Sequence, residues 1–324
     1  MKSVIIDHFG GPEVLKIKET DIPKISSTDV LIRVEKTSVN FADVKQRNGR
    51  KGKGDFPITP GLDAAGTIER VGEHVKGLRV GQRVIAFPNN GSYAEYVVAK
   101  EALTFALPDN IDFTSAAACP TVSFLSYKLL HDVARLRNGE TILVHAAAGG
   151  VGTTVIQLAK LLGAGKVIGT VSEESKFSVV QEAGADHVIL YKDFPCKVNK
   201  LTDGLGVNIV LDSLSGKVSE QSMSCLSLYG RLVHFGDSSE EVGIFETKEL
   251  HSSCRSVLGF SLGTTRKERP DLLKGAADQV FKYMSEGKLM IKIGMEFSLE
   301  DACEAHKLLE SRKSTGKILL SVRE

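Results

Sequence analysis

The sequence predicts an α/β chain of two differently built domains: a partly open β-barrel first, then a doubly wound parallel sheet. Three observations carry this. The N-terminal third holds short β-branched runs separated by turn residues. From Thr141 onward, apolar strand-like runs alternate with helical stretches. Residues 141–152, Thr-Ile-Leu-Val-His-Ala-Ala-Ala-Gly-Gly-Val-Gly, pass from an apolar strand through small residues into a helical pattern. A length of 324 residues suits two domains, each with its own core. The expected boundaries give 1–120 with 263–324 to the first domain and 121–262 to the second.

In the first domain, Val14-Leu15-Lys16-Ile17-Lys18 alternates, and Val30-Leu31-Ile32-Arg33-Val34 is apolar and β-branched. Residues 64–72 read as a bent strand ending in a turn. Residues 83–87 and 93–98 flank the turn signal Asn89-Asn90-Gly91. Many short strands at close spacing predict a partly open barrel. Residues 115–134, rich in Ala and Leu, predict the helix that joins the domains.

Strands then follow at 141–146, 166–171, 187–190, 207–212, 230–235 and 255–260, with helices between them. The helix at 151–162 places Val151, Val155, Leu158, Ala159 and Leu162 on one stripe. Past residue 262 come two more helices and short strands. Ser298-x-x-Asp301 resembles a capping box. Residues 318–322 form a last strand that rejoins the first domain, since the six-strand sheet is already complete.

Ala147-x-Gly149-x-x-Gly152 is a relaxed dinucleotide fingerprint, and its place between a strand and a helix raises its specificity. Glycines there let the backbone approach a pyrophosphate at the helix N-terminus. The next strand ends in Val171-Ser172 with no acid to hold a ribose 2′-hydroxyl, and Lys176 follows. Glu173 and Glu174 are expected in the first helical turn. A lysine suits a 2′-phosphate, so the pattern favours NADPH over NADH. The ordinary alternative for Lys176 is a solvated helix lysine.

A net charge of +1 argues against nucleic acid or a membrane surface as partner. No apolar stretch is long enough to span a membrane, and the N-terminus lacks a signal-peptide pattern, which favours the cytoplasm. The five cysteines (Cys119, Cys196, Cys225, Cys254 and Cys303) are scattered, which argues against a disulfide framework or a zinc cluster. Each reads as a small buried hydrophobe. His145 reads as structural, and the other histidines show no pairing. Residues 45–54 hold five positive charges and three glycines, and read as a solvated basic loop.

Several motifs recur in a fixed order: Asn40-Phe41-Ala42-Asp43, Pro60-Gly61-Leu62-Asp63-Ala64-Ala65-Gly66, Val80-Gly81-Gln82-Arg83-Val84, residues 145–152, Gly184-Ala185-Asp186, Asp212-Ser213, Phe235-Gly236-Asp237 and Ser314-Thr315-Gly316-Lys317. In these the chain resembles, nearly end to end, the zinc-free medium-chain dehydrogenase/reductases, in their NADPH:quinone oxidoreductase and zeta-crystallin group. The resemblance implies a GroES-like barrel domain, a Rossmann domain, and a cleft between them for the nicotinamide. It places Ala148, Gly149, Gly150, Val151 and Gly152 at the pyrophosphate, and Ser172, Lys176, Tyr191 and Arg312 around the 2′-phosphate. Ser213, Phe235, Gly236, Phe260 and Leu262 would line the nicotinamide side. Asn40, Asp43 and Lys45 are the catalytic candidates. It also implies a homodimer.

The zinc enzymes of this superfamily carry Cys and His ligands near 38–43 and 60–63. This chain has Ser38, Asn40, Asp43 and Asp63 there, so no metal is expected. Lys45, Leu125 and Asp237 stand where quinone reductases often carry Tyr, Thr and Asn. Quinones and enones suit a metal-free site, because hydride addition gives a delocalised oxyanion. The expected function is therefore NADPH-dependent reduction of quinones or related conjugated carbonyls, with a small-molecule substrate. An alkenal or enoyl C=C reductase and a non-catalytic NADPH-binding protein stay open. Lys45 is either an oxyanion-stabilising ammonium or a solvent-pointing lysine.

Overall fold

The computed structural model describes residues 1–51, 54–89 and 91–323. The chain divides into two compact units, Met1–Phe124 with Thr264–Glu324, and Leu125–Gly263.

The first unit begins with β1 (Lys2–Ile5) and β2 (Lys16–Glu19), an antiparallel pair. Its spine is β3 (Asp29–Val39), followed by α1 (Phe41–Arg47), β4 (Ala64–Val71), β5 (Arg83–Ala86), β6 (Tyr96–Lys100) and β7 (Thr104–Ala106). The long β3 serves two edges: β4 pairs along one, and β6 pairs residues 29–33 of the other. Two register shifts between β3 and β4 bend the pair. Gly66 sits at this bend, where a Cβ would lie 2.1 Å from the Arg33 carbonyl oxygen. Val30, Ile32, Val34, Ile68, Val84 and Val97 fill the core beneath.

The strands flanking the Asn89-Asn90-Gly91 signal do not form a hairpin. β5 lies between β4 and β7, while β6 takes the free edge of β3. Asn90 itself lies outside the described residues. The basic segment also departs from expectation. Lys45, Gln46 and Arg47 are the last residues of α1, and Arg47 is buried. Gly52 and Lys53 lie outside the described residues.

The joining helix α2 (Phe113–Lys128) continues through a π-helical turn at Leu129–Val133. The second unit then alternates β8 (Thr141–Val144), α3 (Gly150–Leu161), β9 (Lys166–Val171), α4 (Phe177–Glu182), β10 (His187–Leu190) and α5 (Phe194–Leu201). It continues with β11 (Val207–Asp212), α6 (Gly216–Met223), β12 (Leu226–His234), α7 (Thr247–Ser253) and β13 (Ser256–Gly259). The six strands form one sheet in the order β10-β9-β8-β11-β12-β13, all parallel. The order reverses direction between β8 and β11, the crevice where such sheets bind ligands. β12 starts earlier than the expected residue 230, because Leu226 already pairs with Val207. α3 is buried more widely than one stripe: Thr153, Thr154 and Ile156 join Val155, Leu158 and Ala159 inside.

The chain ends with α8 (Leu262–Glu268), α9 (Lys274–Ser285), β14 (Ile293–Ser298), α10 (Ala302–Glu310) and β15 (Lys317–Ser321). β15 pairs antiparallel with residues 36–39 of β3 and parallel with β14. The barrel sheet thus runs β14-β15-β3-β4-β5-β7, and no pairing closes its ends among the described residues. The Ser298 hydroxyl accepts the Asp301 amide at 3.3 Å, capping a 3-10 turn that precedes α10. Cys119 and Cys225 are buried, but Cys196 and Cys254 are exposed, so the buried reading fails for these two. Cys196 lies in the first turn of α5 and Cys254 caps the end of α7, while Cys303 is half-buried.

Candidate functional site

In the parallel sheet unit, the expected cofactor residues stand at the C-terminal ends of the strands. Residues 145–149 connect β8 to α3, Ser172 and Lys176 follow β9, and Tyr191 follows β10. Ser213 follows β11, Phe235 and Gly236 follow β12, and Phe260 and Leu262 follow β13. One edge of the sheet therefore gathers positions scattered over more than a hundred residues of sequence.

The glycine turn is tightly built. Ala146 takes a left-handed φ of +50°, and its amide donates to the Tyr191 hydroxyl at 2.6 Å. The Tyr191 oxygen is therefore engaged by the turn and supports it from beneath. Ala147 N–H donates to the Thr170 carbonyl at 3.0 Å. Gly149 is the N-cap of α3 and offers no side chain to cap the helix. The amides of Gly150, Val151 and Gly152 thus open the helix as uncapped donors. At Gly152 a Cβ would lie 2.5 Å from both the Ala146 and Ala147 carbonyl oxygens. A short cradle with uncapped amides fits a pyrophosphate group.

Lys176 is buried, at 8% exposure, which overturns the solvated reading. Its ammonium donates to the Ser172 hydroxyl at 3.1 Å and lies 3.8 Å from the Glu173 carboxylate. Glu174 opens a 3-10 turn before α4, as expected, but Glu173 is its extended N-cap and lies outside the helical turn. His145 is structural: its two nitrogens lie 2.8 Å from the Thr170 and Ser222 hydroxyls. Burial pulls its pKa down to about 4.

The barrel unit holds a second polar cluster. Asn40 ends β3 and starts α1; its backbone N–H donates to the Asp43 carboxyl at 2.8 Å. Lys317, buried in β15, donates from Nζ to Asn40 Oδ1 at 2.8 Å and to the Val39 carbonyl at 3.1 Å. That fixes the Asn40 amide with its Nδ2 toward Ser38 and Asp63. Asp63 accepts from the Ser38 hydroxyl at 2.6 Å and the Thr121 amide at 3.2 Å. Burial lowers the Lys317 pKa, against the pull of Asp63 and Asp43.

Asp43 is fully buried, and its carboxyl accepts from the Asn40 backbone. The Tyr93 hydroxyl donates to its carboxyl at 3.2 Å. His306 Nε2 lies 3.1 Å from that hydroxyl, and His306 Nδ1 lies 3.2 Å from Arg47 Nη1. A guanidinium has no acceptor, so His306 Nδ1 accepts from Arg47, and the Nε2 hydrogen donates to Tyr93. A directed chain therefore runs Arg47, His306, Tyr93, Asp43. Asp43 Oδ1 is buried with no hydrogen-bond partner among the described residues. Burial is the largest cause that raises the Asp43 pKa to about 7. Burial and then the Arg47 charge lower His306 to about 3. Sequence reasoning missed Arg47, Tyr93, His306 and Lys317, since they come from four distant stretches. The Asn-x-x-Asp spacing at 40–43 is the one local signal, an N-cap pattern.

These shifts oppose one another with pH. His145 and His306 are neutral when folded and take up protons on unfolding below about pH 6.5, so their stability contribution falls as pH drops from 6.5 toward 4 and 3. Asp43 stabilises fully below its unfolded value of 3.8, and that contribution is lost as pH rises through about 7. Two histidines outweigh one aspartate. We expect unfolding free energy to fall by about 1–2 kcal/mol between pH 6.5 and 5. Urea melts at both pH values check this; equal stabilities would refute it.

Lys45 is half-buried, with Nζ 5.6 Å from the ring centroid of Phe41 one turn earlier. Arg312 lies in the barrel unit, exposed just past α10, with a left-handed φ of +59°. Among the described residues no group of three or more His, Cys, Asp or Glu is placed to hold a metal, and no helix is long and apolar enough to cross a membrane.

Known proteins were then compared with the chain. Residues 26–109 match the family model "Alcohol dehydrogenase GroES-like domain", and residues 150–278 match "Zinc-binding dehydrogenase". The chain is 36% identical to a quinone oxidoreductase of Pseudomonas aeruginosa, covering 98% of this chain and 99% of that protein. The chain belongs to the zinc-free medium-chain dehydrogenase/reductases. Within that family it falls in the quinone oxidoreductase, zeta-crystallin-like group. A synaptic vesicle membrane protein VAT-1 homolog of Danio rerio is 32% identical, over 99% of this chain and 70% of that protein. The structure of Escherichia coli quinone oxidoreductase complexed with NADPH aligns with a TM-score of 0.92 at 31% identity, covering 99% of this chain and 100% of that one. As a medium-chain dehydrogenase/reductase the chain is an oxidoreductase, with the GroES-like and Rossmann-like domains that its motifs imply.

Proposed function

We propose that this chain reduces quinones and related conjugated carbonyls with NADPH, without a metal. The observation that carries the cofactor is the buried Lys176 beside Ser172, next to the uncapped cradle of α3. NADPH supplies the hydride when bound. The amides of Gly150, Val151 and Gly152 would hold the pyrophosphate, and Ser172 and Lys176 the 2′-phosphate. Tyr191 holds the turn in shape. Asn40, its amide oxygen held by Lys317, would donate to the acceptor oxygen by giving up one of its long Nδ2 contacts to Ser38 or Asp63, at 3.3 and 3.4 Å, while the Asp43 carboxyl holds the Asn40 backbone N–H. The Asn40, Asp63 and Ser38 groups are engaged with Lys317 and with one another. We also propose that the chain works as a homodimer in the cytoplasm.

NADPH oxidation with 9,10-phenanthrenequinone, 1,4-benzoquinone and an alkenal tests the reading. We expect turnover of both quinones, with the alkenal slower by about tenfold or more. A faster alkenal makes the chain a C=C reductase; tight NADPH binding with no turnover makes it a binding protein. Lys176→Ala should lower the preference for NADPH over NADH by about tenfold or more, the size of a charged hydrogen bond. An unchanged preference removes Lys176 from the phosphate site.

A further inference from the structure

Arg266 stands on α8, in the part of it that belongs to the barrel unit. Its guanidinium carbon lies 4.8 Å from the ring centroid of Phe87. Phe87 is fully buried and packs edge-on against Phe105 and Phe124, so the stacking face is rigid. One nitrogen, Nη1, donates to the Leu62 carbonyl at 3.0 Å. Among the described residues this is the sole hydrogen bond of the guanidinium, and it makes no ion pair there. The nearby acid Asp63 is already satisfied by Ser38, Asn40 and Thr121. The remaining N–H donors of this half-buried cation are not sealed in the core, so they are open to water or to a ligand. Burial presses its pKa downward, against Asp63 and Asp43, yet an arginine remains charged.

Arg266 and Asn40 also share one short support. Leu62 holds Arg266, and the next residue, Asp63, accepts from the Asn40 amide. A guanidinium with donors to spare pairs with planar anions in bidentate fashion. We propose that Arg266 binds an anionic group, a carboxylate or sulfonate, carried by the acceptor near its reacting carbonyl. The preferred substrates are then acidic quinones or enones. This rests on Asn40 as the donor to the acceptor oxygen.

The matched acceptors 1,4-naphthoquinone and 1,4-naphthoquinone-2-sulfonate test it, in the wild type and in Arg266→Met and Arg266→Lys. The ratio of kcat/KM for sulfonate over neutral quinone should fall about 10- to 100-fold in Arg266→Met, mostly through KM. Arg266→Lys should recover part of it. A ratio that stays within about twofold overturns the proposal. Arg266→Gln, uncharged but able to keep the Leu62 bond, serves if the Met variant fails to fold. If the wild type reduces neither quinone, the reductase reading fails by itself. Calorimetric titration of the sulfonate into wild type and variant then decides Arg266 alone: equal affinities, or no binding to the wild type, overturn it.

Discussion

Gly152→Val should raise the NADPH dissociation constant about 100-fold or more and lower the stability of the sheet unit. The added Cβ would meet Ala146 O and Ala147 O at 2.5 Å and Ala147 C at 2.6 Å, all backbone atoms. That turn has little freedom to yield. Ala146 is held left-handed with its amide on Tyr191, and the Ala147 amide is held on Thr170. The helix must move instead, tilting its first amides away from the cradle. Overpacking of this kind costs about 1–3 kcal/mol. Gly149→Ala is the internal control, since its Cβ meets only Ala146 O, at 3.4 Å. NADPH fluorescence titrations and thermal melts of both variants check the prediction. If Gly152→Val binds NADPH within about threefold of the wild type, the cradle is not where the pyrophosphate is held.

The glycine turn was legible because its signal is local: a strand, three small residues and a helix within twelve positions. The parallel sheet was legible for a related reason, since each strand-helix pair repeats one pattern and a single order of strands suits a doubly wound fold. Which strand β6 pairs with was not legible, because it lies on β3, a choice made between elements far apart in sequence. Arg47 shows the same limit more sharply. Read along the chain it is one of five charges in a basic segment. In the fold it faces Glu310 and His306, more than 250 residues away. Buried charges are paired by tertiary structure, and one sequence carries little local trace of the pairing. Lys317 is similar: the motif before it is visible, but its contact with Asn40 needs β15 to lie on β3.

Arg47→Met should destabilise the protein by about 1–3 kcal/mol, the usual cost of leaving a buried polar group without its hydrogen-bond partner. The side chain is 1% exposed, with Nη2 at 2.6 Å and Nη1 at 3.0 Å from the two oxygens of Glu310. It also donates to the Gly10 carbonyl at 3.1 Å and to His306. Methionine fills part of the volume and supplies none of these donors. Glu310 is partly exposed, so water can rehydrate it. His306 is not exposed, and its Nδ1 is left without a donor. Removing the nearby positive charge also lets the His306 pKa rise from about 3, so the variant should tolerate acid differently from the wild type. The disturbance passes along a directed chain to Tyr93 and Asp43, and Asp43 holds the Asn40 amide. Turnover should therefore weaken along with stability, while the NADPH dissociation constant, set in the sheet unit, stays within about twofold. Thermal melts and NADPH titrations of the same preparation separate these effects. A loss of less than about 1 kcal/mol would mean that water replaces the guanidinium at no cost, and that the chain from Arg47 to Asp43 does not hold Asn40 in place.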